Sequence, residues 1–192
     1  MSINWMQAWP SLKVYPLDLQ PEQVGGIETI AHALCQKVRF NGHTRYPIYT
    51  VGQHCIDGSR LIVPEYALAF LLHELSEVFL PDIPRPLKPF VRVRKSAADP
   101  RLFTWEELER DHTRVVLDAL RLSELYGLIN SSRVRDADLR MLATEQRDLM
   151  CAPPESWNLP LEPYPGKVEV RDHTGLVVEF VNRFYELTGR NE

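Results

Sequence analysis

No apolar run in this sequence approaches the roughly 18 residues that a membrane-spanning helix needs, which removes helical membrane proteins from consideration. The N-terminus, MSINWMQAWPSLK, lacks a basic start followed by an apolar core. It is therefore not read as a secretory signal, and a cytoplasmic protein is expected. Cysteine is scarce: Cys35, Cys55 and Cys151 are too few and too far apart for a disulfide framework or a CxxC zinc site, so reduced thiols are expected. Neither charge sign dominates, since 22 Lys and Arg against 26 Asp and Glu leave a net charge of -4, a balance that argues against coating a nucleic-acid polymer. Repeats and low-complexity tracts are also missing, which sets solenoids aside. What is left is an ordinary globular composition, 44% hydrophobic and 25% charged, over 192 residues, the length of one domain spanning 1–192.

Chemistry-bearing residues crowd into 71–88, LLHELSEVFLPDIPRPLK, which holds one His, three carboxylates and three prolines. Leu68, Leu71, Leu72, Leu75 and Phe79 recur at helical spacing, predicting a helix from 65 to about 80 that Pro81 ends. On such a helix His73 and Glu77 are four apart and Glu74 and Glu77 three apart, so the three share one patch. Burying an imidazole and two carboxylates costs several kcal/mol, roughly, unless a cation or hydrogen bonds compensate. That cost points to a site.

The remaining chain supplies context. Residues 1–21, with Trp5, Trp9, Pro10, Tyr15, Pro16 and Pro21, predict an irregular aromatic, proline-rich arm. Apolar spacing predicts an amphipathic helix over 27–40, after Gly25 and Gly26. A loop, NGHTRYP, follows, and Thr50 is placed to cap a helix through His54 to Leu61. Between 85 and 101 six cations, Arg85, Lys88, Arg92, Arg94, Lys95 and Arg101, face one acid, Asp99. Thr104 with Glu106 and Glu107 predicts a capped helix continuing through Leu122, with Gly127 as its stop. Further helices are expected over 134–150 and, with short strands as the alternative, over 176–187. The fold class expected is all-α, with six to eight helices.

One helical turn presents only two or three ligands to one ion, so a metal site here needs other segments. His54, in YTVGQHC, and Asp138, in VRDADLRMLATEQRDLM, lie on separate predicted helices flanking that of His73. The ordered set His54, His73-Glu74, Asp138, with Glu77 and Asp82 nearby, resembles the HD-domain phosphohydrolases. In that family a His, an adjacent His-Asp pair and a distant Asp bind one divalent metal. RFNGHTRYPIYTVGQHCID, residues 39–57, together with HELSEVFLPDIPRPLK, is similar to the bacterial and phage branch containing 5'-deoxynucleotidases and phage dATP triphosphohydrolases. The resemblance covers about 26–150, leaving 151–192 as an extension. Family members carry an Arg-aromatic pair fifteen residues before the first metal His, and Arg39-Phe40 stands at that spacing from His54. Two departures are visible: Phe40 replaces the usual Trp, and Glu74 replaces the family Asp, adding one methylene.

The resemblance implies a helical HD-type domain whose His54, His73, Glu74 and Asp138 bind one divalent ion, Mn, Co, Fe, Ni, Zn or Mg. It implies that Glu77 and Asp82 orient or deprotonate a water, or protonate the leaving group. Arg39 is expected to be the phosphate ligand by its planar fork and Phe40 the sugar or base contact, with His43 a further substrate contact and Lys88 and Arg85 weaker phosphate contacts. The implied substrate is a small deoxyribonucleotide, cleaved at a phosphate ester or anhydride. A homo-oligomer, no nucleic-acid polymer and no membrane complete the expected partners. The alternative is a catalytically impaired HD protein that binds nucleotide or metal as a sensor or partner subunit, the longer Glu74 being its support. His32, His112 and His173 are read as structural. HELSE also begins like the HExxH of zinc peptidases, but Glu77 stands where the second His is required.

Overall fold

The computed structural model describes residues 4–45, 48–96 and 98–190. Among these, seven α-helices and two small antiparallel strand pairs form an all-α fold. The predicted irregular arm opens instead on a hairpin. β1 (Met6–Ala8) pairs with β2 (Leu12–Val14) across a tight turn containing Pro10, Met6 opposite Val14, and the fully buried Val14 pins it to the core. Proline forbids a helix through the turn and leaves the flanks extended. Residues 1–3 of the arm lie outside the described residues.

α1 (Ile27–Gln36) stops four residues short of the predicted end. The backbone groups that would continue it are taken by the next segment: Arg39 N–H donates to Tyr49 O (2.9 Å) and Val51 N–H to Lys37 O (2.9 Å). Residues 39–42 then form a single tight turn in which Phe40 and Asn41 adopt φ of 54° and 49°. α2 (Val51–Leu61) starts where expected, with Thr50 Oγ1 accepting from Gln53 N–H.

The helix predicted over 65–80 is broken. α3 covers only Ala67–Leu71, and Leu75–Val78 forms a separate 3₁₀ turn. No Gly or Pro marks the break. At the break the Phe70 carbonyl accepts from the His73 ring at 2.6 Å, and Leu75 and Glu77 bond three residues back, to Leu72 and Glu74. Lys37 adds to this by donating to the carbonyls of Glu77 and Leu80.

β3 (Arg92–Val93) lies within the basic stretch and pairs with β4 (Phe103–Thr104) just after it. α4 (Trp105–Ala119) opens on the expected capping box, Thr104 with Glu107. It ends before Leu122, because Leu122 N–H bonds Leu117 O and Arg121 N–H bonds Asp118 O around Arg121 at φ 57°. This is the Schellman closure, made here by an arginine in the left-handed position. Gly127, the predicted stop, lies inside α5 (Tyr126–Ile129). α6 spans Ser132–Leu149 and α7 His173–Thr188, the latter closed by Gly189 at φ 64°.

Ile30 and Leu34 of α1, Ile56 of α2, Phe70 of α3, Met141 of α6 and Phe180 of α7 belong to one buried cluster. α2 approaches α3 through Gly58, where an added Cβ would stand 2.0 Å from the Phe70 ring. Cys35 and Cys55 are buried free thiols, and Cys151 is exposed. No described helix is long and apolar enough to cross a membrane.

Candidate metal centre

The cap at Thr50 sets the phase of α2 so that His54 points into the interior, with no exposed surface. Its Nδ1 lies 2.6 Å from Glu145 Oε1, a carboxylate that is itself completely buried. His73 sits in the break after α3, and its Nδ1 lies 2.6 Å from the Phe70 carbonyl oxygen. A carbonyl and an ionised carboxylate only accept, so both rings carry a proton on Nδ1 and turn Nε2 inward. These two Nε2 atoms are 3.3 Å apart.

Two acids complete the group. Asp138 Oδ1 on α6 lies 3.3 Å from His54 Nε2 and 3.8 Å from His73 Nε2, and Glu74 Oε1 is 3.5 Å from His73 Nε2. One ligand atom from each of His54, His73, Glu74 and Asp138 falls within 4.8 Å of all the others, a group that could hold a metal ion. Two imidazole nitrogens and two carboxylate oxygens facing one point are the donor set of a divalent ion.

The electrostatics ask for positive charge at that point. Burial opposes ionisation of every member, yet the Glu74 and Asp138 carboxylates hold His73 well above the usual imidazole range. Burial and Arg39 disfavour the charge on His54, but Glu145 and Asp138 raise it. Asp138, against its own burial, is held well below the carboxylate range by the two imidazoles, and Glu74 is lowered by His73 and Arg39. Protons pulled onto both rings stand where a cation would neutralise the same charges.

Around this centre the predicted residues divide. Arg39 directs Nε and Nη2 to Glu145 Oε2, at 3.2 and 3.0 Å, and Nη1 toward Glu74 Oε1 at 3.5 Å. One edge of its fork is therefore held by Glu145. Phe40 follows it, its ring centre 5.3 Å from the guanidinium carbon. Glu77 is outside the four-residue group. It is buried, its Oε2 has no hydrogen-bond partner, and burial together with the Glu74 and Asp82 charges pushes its carboxyl up to about 9. Asp82 is less buried and is raised by burial and by Glu74. His43 is exposed at the end of the Arg39 turn.

Three of the six cations of the basic stretch are paired by α4: Lys88 with Glu109 (2.8 Å), Lys95 with Asp111 (2.8 Å) and Arg101 with Glu107 (2.7 Å). Arg85 Nη2 stays 3.8 Å from Asp138 Oδ2 at the edge of the centre. His32 stacks on Trp9, His112 bonds Pro16 O, and His173 starts α7, so none of the three joins the group.

Three residues were missed. Glu145 fixes His54, Arg39 and Tyr49, whose hydroxyl donates to Oε1 at 2.9 Å. Its signal was available, since it lies seven residues after Asp138, two turns along the same helix face. Tyr49 and Lys37 carried none, because their roles depend on tertiary neighbours.

No known family profile matches the chain. An uncharacterised protein of Escherichia coli (strain K12), YfdR, is 37% identical over 125 residues, 64% of this chain. The match spans about 60% of that protein's length.

Proposed function

We propose that the chain is an HD-type phosphohydrolase that uses one divalent ion to cleave a phosphate ester or anhydride of a small deoxyribonucleotide. The observation that carries the reading is the pair of inward Nε2 atoms 3.3 Å apart, flanked by two carboxylates and by Arg39. His54, His73, Glu74 and Asp138 are the ligands. The donor set suits Mn, Fe, Co, Ni or Zn better than Mg alone. Such an ion supplies Lewis acidity and lowers the pKa of a water.

The chain's own groups do the rest. Glu145 and the Phe70 carbonyl hold the two rings with Nε2 facing the centre, so no reorientation is needed. Nη1 of Arg39, on the edge away from Glu145, meets a phosphoryl oxygen. Asp82, the more accessible acid, takes the proton of the water, and Glu77, which keeps its proton near neutral pH, gives it to the leaving oxygen. Phe40 lies against the sugar, where a 2'-hydroxyl would crowd it.

Glu74 supports a second reading, a sensor or partner subunit that binds without turnover, since its extra methylene lets it reach Arg39 as well as the ion. Metal analysis followed by a panel of deoxy- and ribonucleotides with added Mn²⁺ or Co²⁺, reading phosphate, pyrophosphate and triphosphate release, separates the two. Turnover supports the enzyme, and tight nucleotide binding without turnover in any metal supports the sensor. Loss of activity in Glu74→Asp means the longer acid is fitted to this centre, and a large gain means it impairs it.

A further inference from the structure

Beyond the end of α6 the chain does not leave the body of the protein. Thr144 Oγ1 accepts from Tyr164 N–H at 2.8 Å, Asp148 Oδ2 from Val168 N–H at 2.8 Å, and the Gln53 amide Nε2 donates to Glu169 O at 2.8 Å. Arg140 and Arg147 donate to the carbonyls of Glu162 and Tyr164. Residues 151–172 are thus stitched along α6 and across to α2 without regular structure of their own. The same segment carries one large ring up to Phe40: Trp157, 40% exposed, stands with its centroid 6.3 Å from that of Phe40, the planes at 49°.

Both rings sit on turns that hold them out. Phe40 and Asn41 have φ of 54° and 49°, and Asn158, next to Trp157, has φ of 48°. Ser156 closes the second turn, its Oγ accepting from Asn158 N–H at 3.1 Å and its carbonyl from Asn158 Nδ2 at 3.3 Å. Asparagine enters this region readily as a single residue, whereas for the Phe40 side chain it is an uncommon backbone conformation. The line of contacts runs outward from the ligand group through Arg39 to Phe40 and then to Trp157. That is the order of a nucleotide: phosphate, sugar, base.

We infer that Trp157 is the base-stacking residue of this site, its exposed face receiving the planar base of a nucleotide whose sugar lies on Phe40 and whose phosphate lies at Arg39. The inference rests on the proposed function for its phosphate end, but it assigns to the segment after α6 a part in substrate choice. Stacking requires only a π-face, so Trp157 discriminates a nucleotide from a bare sugar phosphate more than one base from another.

The test uses the full chain and two variants, Trp157→Ala and Trp157→Phe, each checked for an unchanged melting profile. Substrates are dAMP and dATP, with 2-deoxyribose 5-phosphate and inorganic tripolyphosphate as comparators lacking a base. Trp157→Ala is expected to raise KM for the nucleotide about tenfold or more, with a much smaller change in kcat. It should shrink the kcat/KM advantage of nucleotide over the comparator by the same factor, and Trp157→Phe should recover most of it. Separately, dAMP added with Mg²⁺ should quench indole emission in the native chain and not in Trp157→Phe. Turnover with a KM that Trp157→Ala leaves unchanged overturns the base site and leaves the hydrolase standing. Quenching that needs Trp157, without turnover of any nucleotide, upholds the base site and removes the hydrolase. Neither turnover nor quenching overturns both.

Discussion

His54 Nε2 stands 3.3 Å from His73 Nε2, with the proton of each ring fixed on its far nitrogen by Glu145 and by the Phe70 carbonyl. Two lone pairs facing at this distance repel unless a proton or a metal lies between them. Adding Mn²⁺, Co²⁺ or Zn²⁺ to metal-stripped protein is therefore expected to raise Tm. Binding at a hundred times Kd adds about 2.7 kcal/mol, on the order of 5–10 °C for a chain of this size. Asp138→Asn should lose most of that rise in differential scanning calorimetry, with one ion per chain by elemental analysis in the native protein and none retained in the variant.

Glu145 is not itself one of the four predicted ligands, yet it holds His54, Arg39 and Tyr49 together. Glu145→Gln keeps an acceptor for the His54 proton but removes the charge. Metal affinity should fall about 10- to 100-fold, as for other partners of ligating histidines, which isothermal titration would read. Glu145→Ala should cost about 3–5 kcal/mol in urea unfolding, since it leaves the buried Arg39 guanidinium without its main partner.

Glu77 gives a pH dependence with a definite sign. Its folded carboxyl keeps a proton up to about 9, whereas an unfolded Glu releases it near the ordinary carboxylate value. Between those two points the folded chain binds the extra proton, so this contribution to stability is complete at low pH and is lost as pH rises through the folded pKa. Glu77→Gln removes the effect. In metal-free protein the variant should match the native chain near pH 4 and exceed it by about 3 kcal/mol at pH 7, the gap widening toward pH 9 in denaturant titrations.

Gly58 lies under the Phe70 ring, and Phe70 supplies the carbonyl that orients His73. Gly58→Ala should destabilise by about 1–3 kcal/mol or more through overpacking and weaken metal binding as Phe70 is displaced. Gly127, in α5 with nothing within 4 Å of its added Cβ, is the contrast. There the same change should stabilise by up to about 1 kcal/mol. Chemical denaturation of both variants, with metal titration of the first, checks the pair.

What could be read from the sequence was what depends on near neighbours. Thr50 and Thr104 with Glu107 cap helices within three residues of themselves, and both caps are where their patterns put them. His54, His73, Glu74 and Asp138 converge as their contexts implied. The break between α3 and Leu75 was hidden because Leu68 to Phe79 reads as an uninterrupted helix, while the bonds made around it involve the His73 ring and the Lys37 side chain, which reaches the carbonyls of Glu77 and Leu80 from 40 and 43 residues earlier. The end of α4 was hidden for a different reason: Arg121 occupies a left-handed position usually filled by glycine, so the visible glycine at 127 drew the boundary too far. Trp157 sits in a segment without periodicity, and its place beside Phe40 is a contact between residues 117 apart in the sequence.

α7 lies against α1 and α2, with Phe180 and Phe184 in the same interior as Ile30 and Leu34, and Tyr185 reaching Glu28. The helix made last in this sequence therefore covers the one made first. During synthesis the earlier helices wait on the ribosome with an apolar side uncovered until residue 188 has emerged, and such distant pairings are formed slowly. For this chain, nascent-chain protection by chaperones should matter most in the interval between the emergence of α6 and that of α7.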